Sequence, residues 1–227
     1  MLYRLDAAAA AIADNFGLGR SNDPWAGGYV APAGFAPVIT AGREFITGPR
    51  PNNPNNAPTR PRMIPRVWGV PPPPNVPYDG HNAVLSVRNS DSPFWIGNLR
   101  NSEFRCLIPA TAFMEWGSGT DAEGRRIQHW FAASDQPIFA FAGVWKDSEV
   151  PSFALLTCEA NALLRGLRHE RMPVILPPDA DAYQTWLYAD WARAKLLIQP
   201  YSSSLMRLIE PGPIAETSRQ SSAPRPT

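Results

Sequence analysis

Arg105-Cys-Leu-Ile-Pro-Ala-Thr-Ala-Phe-Met-Glu-Trp116 is the stretch on which the fold turns. It opens as a short apolar run, Cys106–Ile108, that reads as a buried strand. Pro109 has no amide donor and is expected to break that strand. The stretch ends by setting one carboxylate, Glu115, among Phe113, Met114 and Trp116. A carboxylate surrounded by aromatic groups loses hydration, which disfavours its charged form and raises its pKa. Such a group can exchange protons near neutral pH, as a general acid or base must. The plain alternative is a half-exposed strand residue whose carboxylate points into water.

Working outward, the downstream chain repeats the strand signal at Gln128–Ala133, Ile138–Trp145 and Phe153–Cys158, after a polar loop at Gly117–Gly124. Upstream, Pro37–Thr40, Phe45-Ile46, Arg66–Val70 and Ala83–Arg88 have the same character. Short strands at this spacing favour an antiparallel sheet curled toward a barrel. Helical patterns flank them. Ala7–Phe16 is expected to be capped by Asp6 and closed by Gly17. Phe94–Leu99 and Glu159–Leu167 are shorter candidates, and Asp181–Ile198 carries helical apolar spacing in two pieces. The expected class is α+β, one domain over residues 1–210, mainly antiparallel and barrel-like with flanking helices. Pro49–Pro65, with six prolines and four asparagines, reads as a flexible surface insertion. Pro71–Pro74 forces extended backbone, and residues 211–227 read as a disordered tail.

The chain has 227 residues, 44% of them hydrophobic, enough for one sizeable core. A net charge of +1 excludes a molecule that attracts nucleic acid by overall charge, so any anion site must be local. Residues 50–110 hold seven arginines against Asp79, Asp91 and Glu103, a local surplus of four. Solvated loop charge is the plain alternative there. Cys106 and Cys158 both lie in apolar runs, which fits buried thiols in a reducing cytoplasm better than a disulfide. No signal peptide and no apolar run near the ~20 residues of a membrane span is evident, so a cytoplasmic protein is expected. His81 reads as a loop histidine and His129 as a strand histidine; without paired ligand spacing, no metal is expected. No other cofactor is implied.

Arg66-Val67-Trp68-Gly69, the central stretch, Thr157-Cys-Glu-Ala-Asn-Ala162 and His169-Glu-Arg-Met-Pro-Val-Ile-Leu176 follow one another in the order and spacing of a known family. Together with Ser86-Val-Arg-Asn-Ser90 and Ser92-Pro-Phe-Trp95, they resemble the SOS response-associated peptidase (SRAP) family of abasic-site processing proteins. The resemblance implies a partner: single-stranded DNA, or a single-strand/double-strand junction, containing an abasic site, met by a monomer. It implies a covalent thiazolidine between an N-terminal cysteine and the opened sugar's aldehyde, with self-processing at the N-terminus. By the same resemblance Glu115 would shuttle protons and His169 would assist ring opening or reversal. Arg4, Arg88, Thr157 and Arg171 would contact DNA, and Trp68 would stack on or wedge beside a base.

The sequence departs from that pattern twice. It opens Met1-Leu-Tyr-Arg-Leu5, without the Cys-Asn that the family places before a similar Leu-Tyr-Arg. Ser86 stands where the family block has an asparagine, and its hydroxyl has shorter reach and no second donor. Three readings remain open: a start that lacks the family's cysteine only as written, a catalytically degenerate DNA-binding protein, or an abasic-site lyase forming an imine through the Met1 amine. A cysteine hydrolase using Cys158 is disfavoured, because a buried thiol keeps its proton.

Overall fold

The computed structural model describes residues 1–19, 23–42, 60–79 and 81–209. The chain begins with β1 (Leu2–Leu5), α1 (Ala9–Asn15), β2 (Gly28–Val30), β3 (Phe35–Thr40), β4 (Arg62–Trp68) and β5 (Ser86–Val87). Then come α2 (Ile96–Arg100), β6 (Arg105–Ala110), β7 (Ala112–Thr120), β8 (Arg126–Ala133), β9 (Phe139–Lys146) and β10 (Ser152–Glu159). It closes with α3 (Ala162–Gly166), β11 (Arg171–Pro173), α4 (Ala180–Tyr188), α5 (Trp191–Ala194) and β12 (Met206–Ile209). The class is α+β, with mostly antiparallel pairing.

The strands form two sheets. One has the order β12-β8-β7-β1-β2, and the other β11-β10-β4-β3-β6-β9, with β9 also pairing β10. That last pairing closes β10, β4, β3, β6 and β9 into a ring, which removes their free edges. β10 is the hub. One of its edges meets β4 and then β5, both parallel to it, while the other meets β9 and then β11, both antiparallel. Inward side chains of the two sheets share one core: Tyr3 packs on Trp68 and Phe141, and Phe113 on Phe131 and Phe141. Because strand side chains alternate, Tyr3 and Phe113 face this core while Arg4, Met114 and Trp130 face the outside of the five-stranded sheet.

Several local expectations need correction. Pro109 does not end the strand: β6 runs to Ala110, with Pro109 opposite Ala140. Pairing with β3 stops at Leu107, so beyond it β6 is bonded on one side only and tolerates a residue without a donor. Pro37 and Pro65 face each other across β3 and β4 in the same one-sided regions. Residues 62–65 therefore belong to β4 and not to an insertion, while residues 43–59, including Phe45-Ile46 and most of that segment, lie outside the described residues. So does the tail from residue 210. β7 extends to Thr120, shortening the expected polar loop, and β5 keeps only two residues of the expected strand. Asp6 does not cap α1, whose first flanking residue is Ala8. Asp6 instead pairs with Arg4 at 2.5 Å and donates its amide to the Thr111 hydroxyl. The region expected as one helix from Glu159 splits, because β10 claims Glu159 and Asn161 caps a shorter α3. Among the described residues no helix is long and apolar enough to cross a membrane.

Candidate functional site

The two sheets leave a cavity of about 420 Å³ where β1, β7, β10, β5 and the segment between α3 and β11 converge. Antiparallel pairing of β1 with β7 puts Leu2 opposite Met114, which carries residue 1 to the level of Glu115. Met1 and Glu115 both line the cavity. From the opposite wall comes His169. Asn161 holds the first turn of α3 through the Leu164 amide, and the helix then ends with Arg168 N–H bonded to Arg165 O at 2.9 Å and His169 N–H to Leu164 O at 3.1 Å. That double closure turns the chain so that His169 lines the cavity before β11 resumes at Arg171.

Burial raises the Glu115 carboxyl above its ordinary range, and the α-amino group of residue 1 pulls it partly back. His169 is held below its ordinary value chiefly by burial, reinforced by the same amino group and by Arg126, while the Trp116 backbone pulls the other way. The three lie together on the wall of the one cavity, and the amino group's charge bears on both side chains. Neutral His169 is the dominant form at neutral pH, and its Nε2 is buried without a hydrogen-bond partner. A buried, unsatisfied ring nitrogen on a residue that lines a cavity marks His169 as a group whose proton balance depends on what enters there.

A second hollow of about 390 Å³ adjoins the first, and Arg88, Thr157 and Arg171 line both. The Arg171 guanidinium is fixed by neutral acceptors: Thr157 Oγ1 at 2.9 Å and Arg88 O at 3.0 Å. Thr157 Oγ1 in turn donates to Val87 O at 3.0 Å. β5, β10 and β11 are thereby clamped, and the cation is oriented with its charge uncompensated by these bonds.

The family model for SOS response associated peptidase (SRAP) matches residues 3–211. The chain belongs to the SRAP family. Two curated relatives from Bacillus subtilis are named abasic site processing proteins: YoaM, 31% identical over 130 residues, and YoqW, 28% identical over 127. Each match covers 52% of this chain and 54% of the relative, so the chain spans about half the length of the curated relatives it matches. Solved structures similar in fold include a protein from Bordetella bronchiseptica, with TM-score 0.66, 21% identity and coverage of 92% of this chain and 99% of the other. A protein from Bacteroides thetaiotaomicron gives TM-score 0.65, 19% identity and coverage of 92% and 91%.

Within this SRAP chain the residues singled out from sequence separate into groups. Glu115, His169, Ser86, Arg88, Thr157 and Arg171 line the one cavity. Trp68 lines it too but is 1% exposed, with its indole N–H on Leu85 O and its ring against Tyr3. It is a wall of the cavity and presents no free face for a base to stack on, which corrects the expected role. Arg4 is on the outer face of the five-stranded sheet, over the Tyr29 and Trp130 rings and paired with Asp6, away from the cavity. Alternation along β1 decides this, since Tyr3 is wholly buried between Met1 and Arg4's neighbour Leu5 in the inner row. Cys158 lines only the second hollow, with its thiol pushed up to about 11 by burial. Sequence reasoning missed Arg168 and Glu170, which also line the cavity. Both flank His169 directly, but no residue pattern tells which neighbours of a histidine share its wall. Among the described residues no three His, Cys, Asp or Glu side chains gather as a metal site would require.

Proposed function

We propose that this SRAP protein binds single-stranded or junction DNA at an abasic site and reacts with the opened sugar through an α-amino group at the head of β1. One observation carries the reading: the amino group of residue 1, a carboxyl raised by burial and a histidine kept neutral by burial share a cavity whose rim carries a fixed arginine. An abasic sugar opens to an aldehyde. The amine nitrogen attacks the carbonyl carbon, and the C=O becomes a C–OH. Glu115 in its acid form protonates that hydroxyl, water leaves, and a C=N bond forms. His169 is placed to take the proton removed from the adjacent sugar carbon, after which the 3′ phosphate departs with the bonding pair. The relatives' names, abasic site processing protein, favour the same substrate. A cysteine preceding Leu2 would add a thiol to the imine carbon and close a thiazolidine, the family outcome; Met1 supports only the imine.

The test is an oligonucleotide containing uracil, treated with a uracil glycosylase, incubated with the protein and run on a denaturing gel with and without borohydride. A shifted band only with borohydride supports the imine, and intact mass identifies the attached residue. A band stable without reductant requires a thiazolidine and a cysteine ahead of Leu2. Gel-shift binding with no covalent band under either condition leaves a non-catalytic DNA reader, which the replacement of the family asparagine by Ser86 favours. No binding to abasic DNA at all refutes the proposal.

A further inference from the structure

Among the described residues two besides glycine have a positive φ: Ala33 at 63° and Arg168 at 67°. The left-handed conformation crowds a Cβ against the following carbonyl, and helix exits of this kind favour glycine or asparagine. At the end of α3 that position is taken by an arginine, although Gly166 stands two residues earlier, where φ is ordinary and space is open. The turn itself gains nothing from the arginine side chain, since both closing bonds are made by backbone atoms. Arg168 is exposed, lines the cavity, and forms no ion pair among the described residues. It does not line the adjoining hollow, whereas Arg88 and Arg171 line both.

We infer that Arg168 is a second anchor for the phosphodiester backbone, holding a phosphate on the side of the reacting sugar remote from Arg88 and Arg171. A strand entering along the adjoining hollow meets Arg88 and Arg171 at the shared rim, passes the cavity, and reaches Arg168 beyond it. The sugar between them is held at both flanks, beside the proton-transfer pair. The strained backbone is retained because a glycine there could not reach the phosphate. This inference rests on the proposed reading of the cavity as an abasic-site pocket.

The experiment measures fluorescence anisotropy of a labelled single-stranded oligonucleotide carrying a tetrahydrofuran abasic analogue, which has no aldehyde and reports binding alone. The proteins are the parent chain, Arg168→Gly, Arg168→Lys and Arg171→Ala, each titrated over a range of salt and each melted without DNA. Arg168→Gly is expected to weaken binding roughly fivefold to tenfold at about 50 mM salt and to make the log–log salt slope shallower by about 0.7, one phosphate contact on a single strand. Its melting temperature stays at or above the parent's, because the strain is relieved. Arg168→Lys keeps affinity within about twofold of the parent, since charge is retained. Unchanged affinity and slope in Arg168→Gly overturns the inference; so does a weaker affinity that comes with a lower melting temperature. If Arg171→Ala weakens binding while Arg168→Gly does not, the pocket reading stands and the second anchor falls. If the parent fails to bind, both fall.

Discussion

Glu115 and His169 are pushed in opposite directions by the same cause, and this sets how each behaves with pH. Burial raises the Glu115 carboxyl, so the folded chain holds that proton more tightly than the unfolded chain does. Its contribution to stability is present below the unfolded value near ~4.3 and is lost as pH rises through the higher folded value. Glu115→Gln removes an ionised carboxylate from the wall, so this variant should melt above the parent at pH 8, with the difference closing below about pH 4. It should also lose roughly 10²–10⁴-fold in the rate of borohydride-trapped crosslinking, the range of a lost general acid. A trapping rate within a factor of about three of the parent would show that Glu115 carries no proton. His169 runs the other way: its lowered value means stability falls as pH drops below about 6.5, the unfolded value, because the unfolded chain then takes up the proton first. Trp68 provides a control of a different kind. With its ring buried and its N–H on Leu85 O, Trp68→Phe should cost about 1–2 kcal/mol of stability in urea unfolding, from lost contact area and one hydrogen bond. Binding of the tetrahydrofuran oligonucleotide should stay within about twofold of the parent, whereas a stacking role worth roughly 1–3 kcal/mol would weaken it much more.

At the scale of elements, the site depends on β10 holding β5 on one edge and β11 on the other, with Thr157 as the shared pin. Thr157→Val keeps volume but removes a hydroxyl that both donates to Val87 O and accepts from Arg171 Nε. The expected result is about threefold to tenfold weaker DNA binding from loss of roughly 1 kcal/mol of positioning, with the salt slope unchanged because the guanidinium charge remains. A shallower slope would mean that the cation itself had been displaced. A second element-level contact is made by Gly143 on β9, opposite Cys106 on β6, where an added Cβ would press on Ile108 and Cys106. Gly143→Ala should cost about 1–3 kcal/mol in urea unfolding through overpacking. Much of this layer was legible in the sequence. β8, β9 and β10 follow apolar runs bounded by turn residues, and the two-piece helical pattern after Asp181 is α4 and α5. The strand spacing predicts a barrel-like curl, but the strand order that closes the ring was not legible, because pairing of β10 with β4 joins residues far apart along the chain and leaves no local signature. The same limit explains Pro109, whose tolerance depends on where β3 stops pairing, and Trp68, whose burial depends on Tyr3 arriving from another sheet. Glu115 stands out in the sequence through its aromatic neighbours, whereas His169 stands out only through the family resemblance; the register of β1 on β7 and the exit turn of α3 put both on one cavity with residue 1.

For the whole molecule, net charge decides how the proposed DNA site can work. At +1 the chain has little long-range pull on a polyanion, so under the proposed reading encounter with DNA is nearly unsteered and affinity comes from contacts inside the cavity. Many arginines are engaged elsewhere. Arg4 pairs with Asp6, Arg125 with Asp121 and Glu123, Arg105 is buried on the Leu99 and Ala189 carbonyls, and Arg66 lies over Trp145. Arg88, Arg168 and Arg171 are the three guanidinium groups that line the cavity. Each phosphate neutralised on a single strand contributes about −0.7 to the slope of log affinity against log salt, so three give a slope of about −2. A protein that bound through an extended basic surface would show a slope of −5 or steeper, corresponding to seven or more contacts at about 0.7 each. The measurement is an anisotropy titration of the tetrahydrofuran oligonucleotide and of its intact counterpart over the same salt range. The two slopes should agree, because the phosphates are the same in both strands. The abasic strand should bind more tightly by a factor that salt does not change, because that preference comes from fitting a sugar without a base into the cavity, with the same number of phosphates held. Equal affinity for both strands, or a preference that disappears with salt, would move the recognition out of the cavity and onto the surface.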